Sequence, residues 1–206
     1  MKEAEVSLFL VHELYHSIAD KEPEKFPEDN PYVRLASKLL NIDFCLYDCH
    51  LTTNEYLEAM ARYAVFFRSS PDFFGIVIQR FFSPAAILNA HKSVASTATY
   101  EFMKLCQRFK NEAAFTVHYD ATLKNAMEVI QACEEGKISD DVLGHGEVIY
   151  LYDILSVFAA DATMDQGRRQ EVLTWALTRQ MGELEGCPQD NKDKLCRIIA
   201  TIKTIT

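Results

Sequence analysis

The sequence predicts an all-α protein, an α-α superhelix of about four HEAT- or armadillo-like helix pairs. Apolar residues recur at helical spacing along nearly the whole chain. Glycine (7 residues) and proline (6 residues) are scarce, which disfavours a turn-rich β protein. Helix pairs also begin about every 41–49 residues, close to the period of HEAT and armadillo arrays. We therefore expect pairs that stack on one another, since one pair alone cannot bury its apolar face. An irregular all-α bundle is the alternative.

The first two predicted pairs cover residues 3–49 and 52–89. Helices over 3–20 and 31–47 flank a polar link in the first pair. In the second pair, a helix over 52–69 carries a broad apolar stripe. Thr52 and Glu55 have the spacing of a capping box at its start. Ser70 and Pro71 then predict the N-cap and first residue of a helix that is apolar on most sides.

The remaining chain predicts pairs over 93–136 and 139–186 and a final helix over 190–204. The third pair has helices over 93–110 and 114–135, and Gly136 is expected just past the end of the latter. The fourth pair has helices over 148–160 and 168–185. The side chains expected in the core between helices are those of Phe74, Ile78, Phe102 and Met127.

Composition excludes several classes of function. Lys and Arg number 21 and Asp and Glu 30, so the net charge of −9 disfavours general nucleic-acid binding but allows a local basic stripe. No apolar run reaches the length of a membrane span, and the N-terminus does not resemble a signal peptide.

The cysteines are predicted to be reduced core thiols in a reducing compartment, the cytosol or nucleus. They are Cys45, Cys49, Cys106, Cys133, Cys187 and Cys196.

Residues 12–16 read HELYH, the pattern of helical zinc hydrolases. His12 and His16 would lie one helical turn apart and bind zinc, with Glu13 as general base. A catalytic zinc needs a third protein ligand, and no Gly-x-x-His follows. We interpret the segment as a structural or surface helix and keep the zinc hydrolase as an alternative. Nothing else in the sequence indicates catalysis, so neither a metal nor a cofactor is expected.

Several segments together resemble one family of helical-repeat proteins. Residues 56–67 read YLEAMARYAVFF and are similar to the F-x-E-x-x-x-R-Y-x-x-F-F helix of the exportin-T family, in the importin-β superfamily. The likeness continues through residues 76–82 and through residues 91–102, which have a V-x-S-x-x-x-Y-x-F run. Residues 147–153 and 167–173 resemble the Q-L-x-I-Y-E and E-R-K-Q-A-L segments of the same family. Order and spacing agree over most of the chain, although each motif is degenerate.

The resemblance implies a tRNA nuclear export receptor that performs no chemistry. Such a receptor binds tRNA together with the GTP form of the small GTPase Ran, passes nuclear pore proteins, and releases its cargo in the cytoplasm. It would shuttle between nucleus and cytoplasm, and this chain would be a central segment of a longer protein. A HEAT or armadillo scaffold that binds only protein is the first alternative.

The expected tRNA contacts are lysines and arginines near the family-like helix over residues 93–110. The family has basic residues within its V-x-S-x-x-x-Y run, where this chain has Ala95 and Thr97. The candidates that remain are Lys92, Lys104, Arg108 and Lys110. Lys104 and Arg108 are one helical turn apart and would face the same way. A solvated outer helix face is the alternative interpretation of these residues.

Overall fold

The computed structural model describes residues 30–41, 49–68, 70–188 and 190–205, together with Glu13. These residues form helices and connecting loops with no strand among them, so the predicted all-α class is confirmed. The α-helices are α1 (Pro31–Leu40), α2 (His50–Tyr63), α3 (Pro71–Phe81), α4 (Lys92–Phe109), α5 (Ala113–Thr116), α6 (Tyr119–Glu134), α7 (His145–Ala159), α8 (Gln166–Glu185) and α9 (Lys192–Ile205). A 3₁₀ segment, Ala64–Phe67, follows α2.

The chain divides into two compact units between His118 and Tyr119. In the first unit, α2 packs along α4, α1 contacts α2 and the 3₁₀ segment, and α3 contacts α4 and α5. In the second unit, α7 contacts α6, α8 and α9, and α8 also packs on α9. The helices therefore bury their apolar faces on one another within each unit. The assignment of the chain to four repeating pairs stays a prediction.

Two helix ends form as the sequence predicts. The Ser70 side chain accepts a hydrogen bond from the Phe73 amide, and Pro71 is the first residue of α3. At the end of α6, Gly136 adopts a positive φ of 68°. The amides of Gly136 and Lys137 donate to the carbonyls of Cys133 and Ala132 at 3.0 and 2.8 Å. This is a Schellman motif, in which the left-handed residue satisfies the last carbonyls of the helix.

The predicted capping box at Thr52 is wrong. Helix α2 begins two residues earlier, after the N-cap Cys49, which makes no side-chain cap. Thr52 is only 1% exposed, and the Thr53 hydroxyl donates to the Cys49 carbonyl at 3.1 Å. Both threonines therefore lie inside the helix and face the core, so neither side chain caps the helix N-terminus.

The predicted single helix over 114–135 is two helices, α5 and α6. Between them, the Nε2 of His118 lies 2.8 Å from the Pro71 carbonyl oxygen at the start of α3. The ring also fills the space beside Gly75, where an added Cβ would meet it at 3.1 Å. The apolar periodicity alone predicted a continuous helix here. The helix is instead interrupted at His118, where the chain contacts a residue distant in sequence.

The predicted core residues are buried with one exception. Phe74 and Phe102 are 0% exposed and Ile78 is 4% exposed. Met127 lies at intermediate exposure, so its prediction as a core residue is wrong. Aromatic side chains pack against one another in the core of the first unit. The centre of the Phe102 ring, for example, lies 5.2 Å from that of Phe81.

The prediction that most cysteines are core thiols is wrong. Cys106 is buried, but Cys49, Cys133 and Cys187 are partly exposed and Cys196 is exposed. These five are free thiols, and Cys45 lies outside the described residues. Cys49 and Cys187 lie outside the helices, and helical spacing alone does not show that no neighbouring element buries Cys133 and Cys196 fully.

Cys133 is expected to react with iodoacetamide about tenfold to a hundredfold more slowly than an unperturbed thiol near pH 8, because the higher intrinsic reactivity of its thiolate offsets part of the lower thiolate fraction. Burial raises its pKa from 9.0 to about 11, and the negative charges of Asp140 and Glu134 add to the increase. Only the thiolate is nucleophilic, and below both pKa values each pKa unit lowers its fraction about tenfold. Timed alkylation and mass spectrometry measure the rate, with free cysteine as reference and exposed Cys196 as internal comparison. Equal rates at Cys133 and free cysteine would contradict the prediction.

Asp161 forms a buried polar cluster in the second unit, in the link between α7 and α8. It is 5% exposed and accepts hydrogen bonds from the Tyr119 hydroxyl and from the amide and hydroxyl of Thr163. The Arg169 guanidinium donates to the Asp161 carbonyl at 2.6 Å. This one residue therefore connects the start of α6 to the start of α8.

Candidate nucleic-acid interface

Helices α2 and α4 lie side by side and run in the same direction. At their N-terminal ends the His50 and His91 rings stack with centroids 4.2 Å apart, and Asn54 donates to the Ser93 hydroxyl at 2.7 Å. Toward their C-terminal ends a groove of about 460 Å³ opens on the surface. It is lined by Ala61, Arg62, Glu101, Lys104, Leu105, Gln107 and Arg108.

Three cations line this groove, which we call the α2–α4 groove. Arg62 and Arg108 lie in the last turns of their helices, where positive charge interacts favourably with the helix dipole. Lys104 and Arg108 are both exposed. The Arg108 guanidinium lies 5.5 Å from the centre of the Phe109 ring. The groove therefore presents guanidinium and ammonium groups to solvent from two helices.

Carboxylates accompany two of these cations. Arg62 pairs with Glu58 at 3.3 Å, an i,i+4 ion pair on α2. Lys104 Nζ lies 3.1 and 3.4 Å from the two carboxylate oxygens of Glu101. Glu101 is 5% exposed, whereas its ammonium partner remains open to solvent. The solvent-exposed part of the groove is thus cationic, and the Glu101 carboxylate lies buried beneath Lys104.

The structure brings two of the four candidate tRNA contacts together. Lys104 and Arg108 line the groove, as their one-turn spacing predicts. Lys92 is the first residue of α4, about 18 Å along the helix axis from Lys104, and lies outside the lining residues. Lys110 caps the C-terminus of α4, is partly buried, and is likewise not a lining residue.

Sequence reasoning missed Arg62 and Glu101 as groove residues. Glu58 and Arg62 are the acidic and basic positions of the F-x-E-x-x-x-R-Y pattern quoted above. Their i,i+4 spacing signals an ion pair. The spacing of Glu58 and Arg62 along α2 gives no information about where α4 lies. Arg62 lines the groove because α4 packs beside α2.

The HELYH motif lies outside the described residues except for Glu13. His12 and His16 lie outside the described residues, and Glu13 is helical and exposed. In the part of the chain that the structure describes, no group of three or more His, Cys, Asp and Glu side chains is arranged to hold a metal ion. Among the helices in those ranges, none is long and apolar enough to cross a membrane.

No protein-family model, curated protein sequence or solved structure matches this chain.

Proposed function

We propose that this chain is part of a tRNA export receptor and that the α2–α4 groove contacts the RNA backbone. The receptor would carry tRNA together with Ran-GTP from nucleus to cytoplasm, past nuclear pore proteins, without catalysis. The observation that carries the proposal is the convergence of Arg62, Lys104 and Arg108 on one groove. The helices that form this groove contain parts of two segments, 56–67 and 91–102, that resemble the exportin-T family.

The chemistry of these cations suits phosphate. Arginine guanidinium groups donate pairs of hydrogen bonds to phosphate oxygens, and lysine supplies a point charge. The chain's net charge of −9 opposes RNA binding. Charges farther away than about 10 Å are largely screened at 0.1 M salt. The local field therefore depends on the three groove cations and the two carboxylates paired with them, three positive charges against two negative, a net charge of +1. Binding of this kind should weaken steeply as salt is added, because each neutralised phosphate releases a condensed counterion.

Arg62→Gln combined with Arg108→Gln is expected to lower tRNA affinity at least about tenfold, because two charged contacts are lost. The salt slope should fall by about 1.4–1.8 in log–log units, the value for two phosphate contacts. Under the proposal the chain lies within a longer receptor, so affinity is measured for that receptor with Ran-GTP at two salt concentrations. Lys104 stays unchanged, since its replacement by Gln would remove the ammonium that pairs with the buried Glu101 carboxylate.

A matched control removes two positive charges from the second unit. Lys124→Gln with Lys203→Gln changes two exposed lysines and should leave tRNA affinity and salt slope nearly unchanged. Equal affinities for both double variants would place tRNA contacts elsewhere and contradict the groove assignment. Absence of tRNA binding by the receptor with Ran-GTP would favour the protein-only scaffold.

A further inference from the structure

The α2–α4 groove contains a buried acidic residue, Glu101. The Glu101 side chain is 6% exposed, while the Lys104 side chain that pairs with it is 45% exposed. Lys104 Nζ also lies 4.9 Å from the centre of the Tyr100 ring. A carboxylate buried to this extent is costly unless a cation or hydrogen-bond donor accompanies it. Glu101 therefore holds the Lys104 ammonium from below, while the ammonium stays open to solvent in the groove.

An incoming phosphate has to compete with this carboxylate for Lys104. A single phosphate that takes the ammonium gains one charged contact and weakens another of similar strength, so its net gain is small. A ligand with several linked phosphates can contact Arg62, Lys104 and Arg108 at once, and its additional contacts offset the weakened pair. The arrangement thus favours a polyphosphate backbone over an isolated phosphate.

We infer that Glu101 is a positioning residue of the α2–α4 groove, which holds the Lys104 ammonium by an ion pair and so lowers the affinity of the groove for the phosphates of a nucleic-acid backbone. The inference rests on the proposed function. It assigns Glu101 a role through Lys104 and no contact with the RNA itself.

Glu101→Gln removes the competing charge while keeping the size of the side chain. We expect tRNA affinity of the receptor to rise about two- to fivefold, the range of a partly exposed ion pair. The salt slope should steepen by about 0.7–0.9, because Lys104 becomes available to one more phosphate. Inorganic tripolyphosphate, titrated calorimetrically into this chain, should gain affinity by a similar factor. Inorganic orthophosphate should gain by no larger a factor, since it can form at most the same one contact with Lys104.

Glu128→Gln is the matched control, because it removes an exposed carboxylate from a lysine 3.9 Å away in the second unit. It should change neither affinity nor slope. If Glu101→Gln fails to fold by circular dichroism, Glu101→Met replaces it, since an apolar side chain of similar length suits this buried position.

The outcomes separate the two proposals. If the arginine variants weaken tRNA binding and the Glu101 variant does not strengthen it, the role of Glu101 is overturned and the proposed function stands. If the arginine variants have no effect but the Glu101 variant binds tripolyphosphate more tightly, the role of Glu101 stands and the proposed function fails. If neither tRNA nor tripolyphosphate binds the Glu101 variant more tightly, the inference is wrong.

Discussion

Phe102→Ala is expected to lower the free energy of unfolding by about 3–5 kcal/mol, the range for truncating a buried phenylalanine. Phe102 is 0% exposed, and its ring lies 5.2 Å from the Phe81 ring and 5.1 Å from the Phe82 ring. The substitution leaves a cavity between α4 and α3 and removes both aromatic contacts. Because interiors are close-packed, the surrounding side chains can fill such a space only in part.

Urea unfolding followed by circular dichroism measures this change. Gln107→Ala is the control on the same helix, since Gln107 is exposed and its replacement should alter the free energy by less than about 0.5 kcal/mol. A loss below about 1 kcal/mol for Phe102→Ala would show that the apolar face of α4 is assigned wrongly.

Asp161→Ala is expected to destabilise the second unit by about 2–4 kcal/mol. The substitution removes the carboxylate that accepts hydrogen bonds from the hydroxyl of Tyr119, a residue 8% exposed, and from the Thr163 amide. Loss of a hydrogen bond to a charged group costs about 1.5–3 kcal/mol. Relief from burying the carboxylate offsets part of this loss, and Thr163 is exposed enough to bond water.

Fluorescence of Trp175, the one tryptophan of the chain, follows unfolding of this unit directly. Combining Asp161→Ala with Tyr119→Phe in a double-mutant cycle should give a coupling energy of about 0.5–3 kcal/mol. Asp141→Ala removes an exposed carboxylate and serves as the control. Additive effects of the Asp161 and Tyr119 substitutions would contradict the cluster as described.

Helices with strong local signals are the part of the fold that could be predicted from sequence. Helix ends are marked by the serine cap and proline at 70–71 and by the glycine at 136. Each depends on backbone geometry that is set by residues adjacent in sequence. The apolar stripes likewise identify Phe74 and Phe102 as core residues, because a stripe at helical spacing shows which face a helix buries.

The errors occur where distant residues override those local signals. Helix α2 begins at His50, before the capping signal at Thr52, and the Thr52 side chain is buried in the core. The break between α5 and α6 coincides with the contact from His118 to Pro71, 47 residues away in sequence. Met127, Cys133 and Cys196 lie at helix positions that remain partly or fully exposed, and Cys49 and Cys187 lie outside the helices.

The sequence by itself determined that this protein is all-α, where several helices end, and that Lys104 and Arg108 share a helix face. Only the tertiary structure decided that Arg62 joins them and that Glu101 lies buried beneath Lys104. Spacing along one helix fixes which side chains share a face, since the backbone repeats every 3.6 residues. A groove between two helices depends instead on how they pack. The contact between Asn54 and Ser93 joins residues 39 positions apart, a distance over which periodicity carries no information.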